Sequence, residues 1–535
     1  MAFLSCFALL TVSLAALSNC QMMHSVDRMM EAVAKQEILA DQLEEYLLEE
    51  EKRLKAISLS ITRLRAAGHS KPTTTTELEK EMSHPVRVLR ILTGIYIEVE
   101  TVKDLLESTH ISADMNETFD FLPTHKDYID VVQAVVRLQE VYSDKADFTK
   151  AQGDNSKDVL TAHEVFEIGR LCVDEKNLYS ALTNFQRAKK MFEEMNNTEK
   201  AMESLDFLAY LMHEQGNSDY ALNYTYSLLE YYKDKDESTI NRLQENVAIY
   251  IDSLGGESEA AARVILKNPY QNFPEALYTN YKELCRGEHV QALDEDVQPL
   301  QCHLHTNNNH PLLVLSPAKR EDLNLKTGLS FFHGVLTDKE ISLLQKMAIE
   351  HFEDSQLVPD DDIKNDPDIE LIDELSYADN RIRSSNTGWV DDEEDSMVLA
   401  ISRRISAILS LTLDSAESFQ VLSYGIGGFY LPHFDWGYGD HPFEGFAGNR
   451  IATWIFYLND IKKGGATVFP DIGATVWPEK GGAAFWRNLH KNGTGDVSTL
   501  HAACPVLEGY KWVSNKWFHT VGNELSWPCD TNPDQ

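Results

Sequence analysis

From residue 424 to residue 435 the sequence is Tyr-Gly-Ile-Gly-Gly-Phe-Tyr-Leu-Pro-His-Phe-Asp. His433 and Asp435 stand two residues apart, so on an extended strand both side chains point to one face and can reach one metal ion. A second histidine, His501, follows in the segment Thr-Leu-His-Ala-Ala-Cys-Pro, and Lys511 comes after it. Two imidazoles and one carboxylate are the ligand set of non-haem Fe(II) oxygenases, which leave coordination positions open. The pattern predicts an iron site.

Short apolar segments surround this motif. Residues 449–458 are Asn-Arg-Ile-Ala-Thr-Trp-Ile-Phe-Tyr-Leu, and residues 464–470 and 511–517 are Gly-Gly-Ala-Thr-Val-Phe-Pro and Lys-Trp-Val-Ser-Asn-Lys-Trp. Regular short strands separated by glycine and proline indicate a double-stranded β-helix, or jelly roll, whose mouth can hold a metal. A His-x-Asp pair by itself is more typical of a solvent-facing strand, so the metal prediction depends on this context.

Length and charge limit the function classes. A chain of 535 residues is too long for one core, so two or three domains are expected. The net charge of −37 argues against a nucleic-acid partner and against anionic membrane surfaces. Part of the excess acid is concentrated in residues 359–374, which predicts a solvated insertion; the alternative is a gate that contacts a basic substrate.

The first residues indicate secretion. The segment from Phe3 to Leu17 is apolar and too short to span a bilayer, and small residues follow at Ser18 and Cys20. This predicts a signal peptide over residues 1–20, although a positively charged start is lacking. No later segment has the length and hydrophobicity of a membrane span. Four sequons then offer glycosylation sites, at Asn116, Asn196, Asn223 and Asn492.

Five cysteines remain if the signal peptide leaves. In an oxidising compartment Cys285 with Cys302, and Cys504 with Cys529, are expected to form two disulfides between sequence neighbours. Cys172 is left over and is expected to be a small buried side chain.

The N-terminal half is predicted to be helical. Apolar residues fall on the a and d positions of one heptad register, which indicates a long amphipathic helix suited to a coiled coil; the alternative is a helix packed inside its own domain. These positions are Ala40, Leu43, Leu47, Leu54, Ile57, Ile61 and Leu64. Further on, Asn177-Leu-Tyr-Ser-Ala-Leu recurs as Asn217-Ser-Asp-Tyr-Ala-Leu, which predicts a small tetratricopeptide-like module of paired helices.

With these motifs the chain resembles the collagen prolyl 4-hydroxylase α subunits, densely over residues 330–529 and less densely over the rest. The resemblance implies that His433, Asp435 and His501 bind Fe(II), and that Lys511, Tyr424 and Thr467 bind the distal carboxylate of 2-oxoglutarate. His519 is expected to orient the iron-proximal carboxylate. Arg450, Tyr430 and Trp517 match positions near the substrate proline; the alternative is that they are core and salt-bridge residues. The resemblance supports the two disulfide pairs above.

The helical module is implied to bind the proline-rich substrate in a groove that contains Tyr210, Arg242 and Asn246. Phe207 and His213 replace tyrosines of the family there, which puts substrate preference in doubt. Without the resemblance, an aromatic stripe at helical spacing is more often core than binding site.

The resemblance also predicts the assembly and the reaction. The predicted domains are a signal peptide (1–20), a helical dimerisation domain (21–145), the peptide-binding module (155–255), a linker with a disulfide (256–320) and the catalytic jelly roll (321–535), a multidomain α + β architecture. The expected partners are a second α subunit, protein disulfide isomerase and procollagen, in the lumen of the endoplasmic reticulum.

The expected reaction hydroxylates C4 of peptidyl proline and converts 2-oxoglutarate and O₂ to succinate and CO₂, with L-ascorbate in support. The alternatives are an α subunit for another proline-rich substrate and a binding subunit with little turnover. Lysyl hydroxylases share the metal chemistry but resemble this chain less.

Overall fold

The computed structural model describes residues 26–67, 75–106, 113–142, 148, 158–233, 235–255, 275–288, 301–355, 383–437 and 448–530. The predicted signal peptide and the acidic segment 359–374 lie outside these residues, as does much of the predicted linker. The chain divides into two compact units, Met1–Lys71 with Thr93–Thr124 and Pro72–Leu92 with His125–Gln535. Among the described residues, no helix has the combination of length and apolar character that crossing a membrane requires.

The described helices are α1 (Val26–Ala67), α2 (Thr75–Glu81), α3 (Pro85–Leu105), α4 (Ala113–Asp120), α5 (His125–Tyr142), α6 (Ala162–Asp174), α7 (Leu178–Glu194), α8 (Thr198–Glu214), α9 (Ser218–Tyr232), α10 (Glu237–Gly255), α11 (Glu275–Cys285), α12 (Pro311–Leu315), α13 (Asp338–Ile349) and α14 (Ser396–Leu409).

The described strands are β1 (Cys302–His305), β2 (Ala318–Asn324), β3 (Leu329–His333), β4 (Glu353–Asp354), β5 (Asn386–Val390), β6 (Phe419–Tyr424), β7 (Tyr430–His433), β8 (Arg450–Tyr457), β9 (Lys463–Gly464), β10 (Thr467–Phe469), β11 (Ala474–Val476), β12 (Ala483–Arg487), β13 (His501–Ala503), β14 (Val506–Glu508) and β15 (Lys511–His519).

Helix α1 in the first unit is a single long helix, as the heptad pattern predicts. Its apolar stripe faces solvent: Leu43, Leu47 and Leu54 are 57%, 60% and 59% exposed. Exposed leucines at heptad spacing are typical of a helix that packs against a partner helix.

Helices α6 to α10 form the predicted module of antiparallel helix pairs. Thr161 and Glu164 make a capping box that begins α6, and Asn177 and Asn197 cap α7 and α8 by accepting a backbone N–H three residues on. Ala181 and Phe185 are fully buried. A small residue followed by an aromatic one lets the neighbouring helices pack closely. The sequence repeat therefore corresponds to the helix pairs α6–α7 and α8–α9, with α10 following.

The C-terminal region contains the jelly roll. Antiparallel strands make a nine-stranded sheet in the order β1-β2-β3-β12-β8-β15-β6-β5-β4 and a four-stranded sheet in the order β11-β10-β13-β7. Side chains of both sheets share one core, which includes Leu422, Ile455 and Phe469. Helices α13 and α14 cover the outer face of the large sheet, and the helical core continues onto the outer face of the small sheet. This confirms the α + β prediction with a C-terminal jelly roll.

The predicted disulfide pairing is wrong. Cys285, the last residue of α11, is bonded to Cys504, which follows β13; their Cα atoms are 5.5 Å apart. Cys302 and Cys529 are free and exposed, whereas Cys172 is buried as expected. The physical reason is that α11 packs on the small sheet and brings two cysteines distant in sequence to bonding distance, so proximity in sequence does not decide the pairing.

Candidate metal centre and substrate groove

The three predicted iron ligands converge. Strands β7 and β13 are antiparallel neighbours, and their register places His501 opposite His433. The Nε2 atom of His433 is 3.8 Å from Asp435 Oδ1, and that of His501 is 3.6 Å from Asp435 Oδ2. These atoms lie within 4.8 Å of one another, a spacing that suits three ligands of one ion. Two imidazoles and a carboxylate fit Fe(II) with open positions.

Backbone hydrogen bonds fix the two imidazoles. Nδ1 of His433 lies 2.8 Å from the carbonyl oxygen of Leu431, and Nδ1 of His501 lies 2.9 Å from that of Thr499. A carbonyl only accepts, so each Nδ1 carries the proton and each Nε2 offers its lone pair to the metal. Burial lowers the pKa of His433 to about 3, so this imidazole is neutral at physiological pH.

Asp435 is held by a chain of hydrogen bonds. Thr453 Oγ1 donates to Asp435 Oδ2 at 2.7 Å, and Asn488 Nδ2 donates to Thr453 Oγ1 at 2.8 Å. Burial opposes ionisation, but the neighbouring His501, His433 and Arg450 outweigh it and lower the pKa of the Asp435 carboxyl. The carboxylate is therefore ionised and oriented before any metal binds.

Lys511 lies in a buried polar cluster with Tyr424, Tyr457 and Thr467. The lysine is 2% exposed, and its Nζ lies 5.6 Å from the Tyr424 ring centre and 5.8 Å from that of Tyr457. Tyr457 donates its hydroxyl to Thr467 Oγ1 at 2.9 Å. Within the described part of the chain no carboxylate forms an ion pair with Lys511, and burial lowers its pKa to about 7. This is the environment of a receptor for an anionic ligand.

Arg450 belongs to a buried charge network. Its Nε and Nη2 donate to the two oxygens of Glu417 at 2.5 and 2.8 Å, and its guanidinium lies 4.0 Å from the Trp517 ring centre. His519 contacts Glu417 Oε1 through Nε2 at 2.8 Å and the Gly448 carbonyl through Nδ1 at 2.6 Å. Both ring nitrogens of His519 therefore already have partners within the protein. Its expected contact with 2-oxoglutarate stays a prediction.

Tyr430 lies directly against His433, one of the predicted iron ligands. Its ring is stacked on the His433 imidazole with the centres 3.6 Å apart. The guanidinium of Arg383 lies 4.8 Å from the same tyrosine ring, and its Nε donates to Ser385 Oγ. A stacked tyrosine and a guanidinium therefore border one side of the metal centre.

The groove residues of the helical module lie on α8 and α10. Tyr210 is 42% exposed, and Arg242 donates two hydrogen bonds to Asp206, the shorter at 2.6 Å. Asn246 is half-buried one turn after Arg242. These placements are compatible with a peptide groove.

The two changed groove positions behave differently. Phe207 stacks on Phe185 with the ring centres 4.5 Å apart, so it belongs to the helical core. His213 is half-buried, with its ring 4.6 Å from that of Tyr250 and its Nδ1 2.9 Å from Ser218 Oγ. Phe207 thus has a structural role in addition to any contact with substrate.

Sequence reasoning missed several residues of the site. They are Arg383, Glu417, Thr453, Tyr457 and Asn488. Thr453 and Tyr457 lie on β8, within the apolar segment 449–458, and they are an even number of residues apart. Because side chains alternate along a strand, both point to the same face, and this alternation is the signal that would have identified them. Glu417 could have been sought as the partner that a buried arginine requires. Nothing in the sequence pattern singles out Arg383 or Asn488.

The sequons are placed as follows. Asn196 and Asn223 are exposed, and Asn492 is half-buried with its Oδ1 accepting hydrogen bonds from Thr494. The side chain of Asn116 lies outside the described side chains. Glycosylation at these positions stays a prediction.

Comparison with known proteins identifies three regions. Residues 25–150 match the N-terminal region of the prolyl 4-hydroxylase α subunit, residues 162–255 its peptide-substrate-binding domain, and residues 419–519 the 2OG-Fe(II) oxygenase superfamily. The chain is 32% identical to prolyl 4-hydroxylase subunit α-1 of Rattus norvegicus, with 94% of this chain and 95% of the relative covered. Subunit α-2 of Gallus gallus is 31% identical, with 94% of each covered.

Proposed function

The chain belongs to the prolyl 4-hydroxylase α-subunit family, and on that premise we propose that it hydroxylates C4 of proline in the X-Pro-Gly repeats of procollagen. The observation that supports this most is the convergence of His433, Asp435 and His501 beside the buried Lys511. A metal triad alone fits many oxidations, whereas a triad with a buried cation fits a 2-oxo acid cosubstrate.

The protein's share of the chemistry is to hold an open metal site in a largely dry cavity. Bound Fe(II) supplies the oxidation, with O₂ and 2-oxoglutarate as cosubstrates and succinate and CO₂ as products. His433 and His501 offer preset Nε2 lone pairs, and Asp435 offers an oriented carboxylate. Because these groups are fixed by hydrogen bonds, little reorganisation accompanies metal binding.

Lys511 determines the orientation of the cosubstrate. A protonated lysine in a buried cluster attracts the distal carboxylate of 2-oxoglutarate, and we assign Tyr424 and Thr467, which lie in the same cluster, as further partners of that carboxylate. Binding of the anion restores the lysine's charge, since an opposite charge raises the pKa that burial has lowered.

The substrate proline is held by the aromatic and cationic border of the centre. We assign to this border Tyr430, whose ring is stacked on His433, and Arg450, which Glu417 fixes over the ring of Trp517. Aromatic-lined surfaces are the usual receptors of proline-rich chains in the polyproline II conformation. The helical module binds further repeats of the same substrate through Tyr210, Arg242 and Asn246.

The proposed assembly contains a second α subunit and protein disulfide isomerase in the lumen of the endoplasmic reticulum, with L-ascorbate supporting turnover. The exposed heptad stripe of α1 supports the second α subunit, because four or more exposed apolar residues in one register are suited to a coiled-coil partner. The predicted signal peptide and the Cys285–Cys504 disulfide support an oxidising secretory compartment.

The function is tested by co-expression with protein disulfide isomerase and assay on a (Pro-Pro-Gly) repeat peptide with Fe(II), 2-oxoglutarate and ascorbate. Mass spectrometry is expected to show oxygen gain on the proline before glycine, and a matched His433→Ala variant should show none. Decarboxylation of 2-oxoglutarate without peptide oxidation would indicate a sound iron site and a different substrate. An inactive, folded and metal-loaded complex would favour a binding subunit.

A second candidate is an α subunit for a proline-rich protein other than collagen. The observation that favours it is the changed groove, in which Phe207 is drawn into the core and His213 packs on Tyr250. Replacing Phe207 and His213 by tyrosine is expected to strengthen binding of collagen repeats under this candidate. Unchanged peptide affinity in both variants would contradict it.

A further inference from the structure

A helix from far upstream in the chain holds the turn that leads into the first iron histidine. Helix α5 belongs by sequence to the N-terminal family region, residues 25–150, whereas the turn 425–429 belongs to the oxygenase region, residues 419–519. Both lie in the same compact unit. We propose that Arg137 of α5 is a positioning residue of the iron site, which acts through this turn on β7. The inference rests on the iron site proposed above.

Arg137 makes two contacts with the turn. Its Nη1 donates to the carbonyl oxygen of Gly427 at 2.7 Å, and its guanidinium lies 3.8 Å from the ring centre of Phe429. Arg137 is 8% exposed and Phe429 is fully buried. A charged donor to a buried carbonyl and a desolvated cation–π contact are both stronger than their exposed equivalents. Both contacts are made to residues shortly before Tyr430, the first residue of β7.

The turn fits closely against the helix backbone. Gly427 has a φ of +68°, and a Cβ added there would lie 2.6 Å from Ala134 Cβ and 2.9 Å from Ala134 Cα. Only glycine permits both the left-handed backbone and this approach. The position of the turn is thus set by α5, and a displacement of the turn would be passed along three residues to the strand of His433.

The second iron strand is tied to the same helix. The hydroxyl of Tyr142 donates to the carbonyl oxygen of Pro505 at 2.5 Å, two residues beyond the end of β13. The turn 425–429 is also hydrogen-bonded to the segment that follows β13, because Gly427 N donates to Val506 O at 2.8 Å and Val506 N donates to Gly428 O at 3.1 Å. Helix α5 therefore contacts the ends of both strands that carry histidine ligands.

The packing of the small sheet supports the same conclusion. Val468 and Ala502 of this sheet and Ala466, which directly precedes β10, are fully buried, and they share one core with Val135 and Leu138 of α5. Helix α5 thus packs against the sheet that carries two of the proposed metal ligands. Changing a residue that holds a metal ligand in place lowers metal affinity even where the ligand itself is unchanged.

The test measures metal binding without turnover on the full-length chain. Arg137→Gln is expected to weaken Co(II) binding about tenfold and to change the Co(II) absorption spectrum, because the ligand geometry changes. The KM for Fe(II) should rise by a similar factor while the KM for peptide stays constant. Arg137→Lys, which keeps the charge, should restore part of the affinity. Arg170→Gln is the matched control, since Arg170 is exposed and pairs within its own helix.

Three outcomes would overturn the inference. A lowered melting temperature with unchanged Co(II) affinity and spectrum would make Arg137 a merely structural residue. If Arg137→Gln does not fold, Tyr142→Phe decides, because it removes one hydroxyl and keeps the ring; unchanged Co(II) affinity there is equally contradictory. A wild-type chain that binds Co(II) no better than His433→Ala would overturn the iron site itself, and this inference with it.

Discussion

At the scale of single residues, the two histidines and the aspartate show how ordinary strand geometry brings together the ligands of the proposed metal centre. Each histidine uses Nδ1 for a carbonyl two residues before it, and each thereby presents Nε2 inward. One oxygen of the aspartate accepts a hydrogen bond from Thr453. The chemistry is thus prepared by hydrogen bonds that involve neither cosubstrate nor substrate.

Lys511 makes the affinity for 2-oxoglutarate depend on pH. Its pKa is about 7 without ligand, and a bound carboxylate raises it, so binding takes up a proton between the two values. Affinity should be constant below pH 7 and fall about tenfold per pH unit above it. Isothermal titration of the metal-loaded protein with 2-oxoglutarate measures this slope, across about pH 6 to 9 in steps of about one pH unit.

The control for this prediction is Lys511→Met, which has no titrating ammonium. It should bind 2-oxoglutarate more weakly by about 2 to 5 kcal/mol, with a nearly flat dependence on pH over the same range. A wild-type slope that persists in Lys511→Met would assign the proton to another group and contradict the role given to Lys511.

Glu417 is expected to act on peptide binding through Arg450. Glu417→Gln weakens a buried bidentate pair, so Arg450 is less firmly fixed over Trp517. The KM for a proline peptide should rise about tenfold, roughly 1.4 kcal/mol, with little change in the KM for 2-oxoglutarate. Steady-state kinetics in both substrates separate the two effects. An equal rise in both constants would place Glu417 in the general support of the site.

At the scale of elements, the helical module is proposed to bind the substrate at a second place, away from the metal centre. Removing the Tyr210 ring from α8 should raise the KM of a long repeat peptide about 5- to 30-fold, while a peptide too short to reach the module is unaffected. The matched control is Tyr226→Ala, because Tyr226 is a tyrosine of the same module on α9 and is 51% exposed. Equal effects on long and short peptides, or equal effects of the two variants, would contradict the groove.

The disulfide between α11 and the end of β13 has a direct chemical test. Non-reducing digestion and mass spectrometry should find one peptide pair that contains Cys285 and Cys504, with Cys302 and Cys529 open to alkylation. Cys504→Ser should cost about 2 to 5 kcal/mol of folding free energy. A recovered Cys285–Cys302 pair would return the pairing to the one that the sequence suggested.

Some elements of the fold can be predicted from a short stretch of sequence, and others cannot. The triad, the strand β8 and the paired helices after Thr161 all follow from motifs or periodicity within short windows. The disulfide, the Glu417–Arg450 pair and the Arg137–Gly427 contact do not, because their partners are separated by many residues and meet only through packing. A pattern within a window has no access to such contacts.

At the scale of the whole molecule, the catalytic jelly roll is not independent of the helices that precede it. One core runs from α5 through α6 and α11 onto the outer face of the small sheet, and the disulfide reinforces it. Boundaries drawn from composition would separate these parts. A fragment that lacks α5 and α11 is therefore expected to expose the apolar residues behind both iron strands.

In the proposed reaction one site couples 2-oxoglutarate decarboxylation to proline hydroxylation. This coupling is measured by quantifying succinate and 4-hydroxyproline in the same reaction, for the wild type and for Asp435→Ala. We expect equal amounts of the two products from the wild type and neither from the variant. Hydroxyproline formed without succinate, or formed equally well by Asp435→Ala, would contradict it.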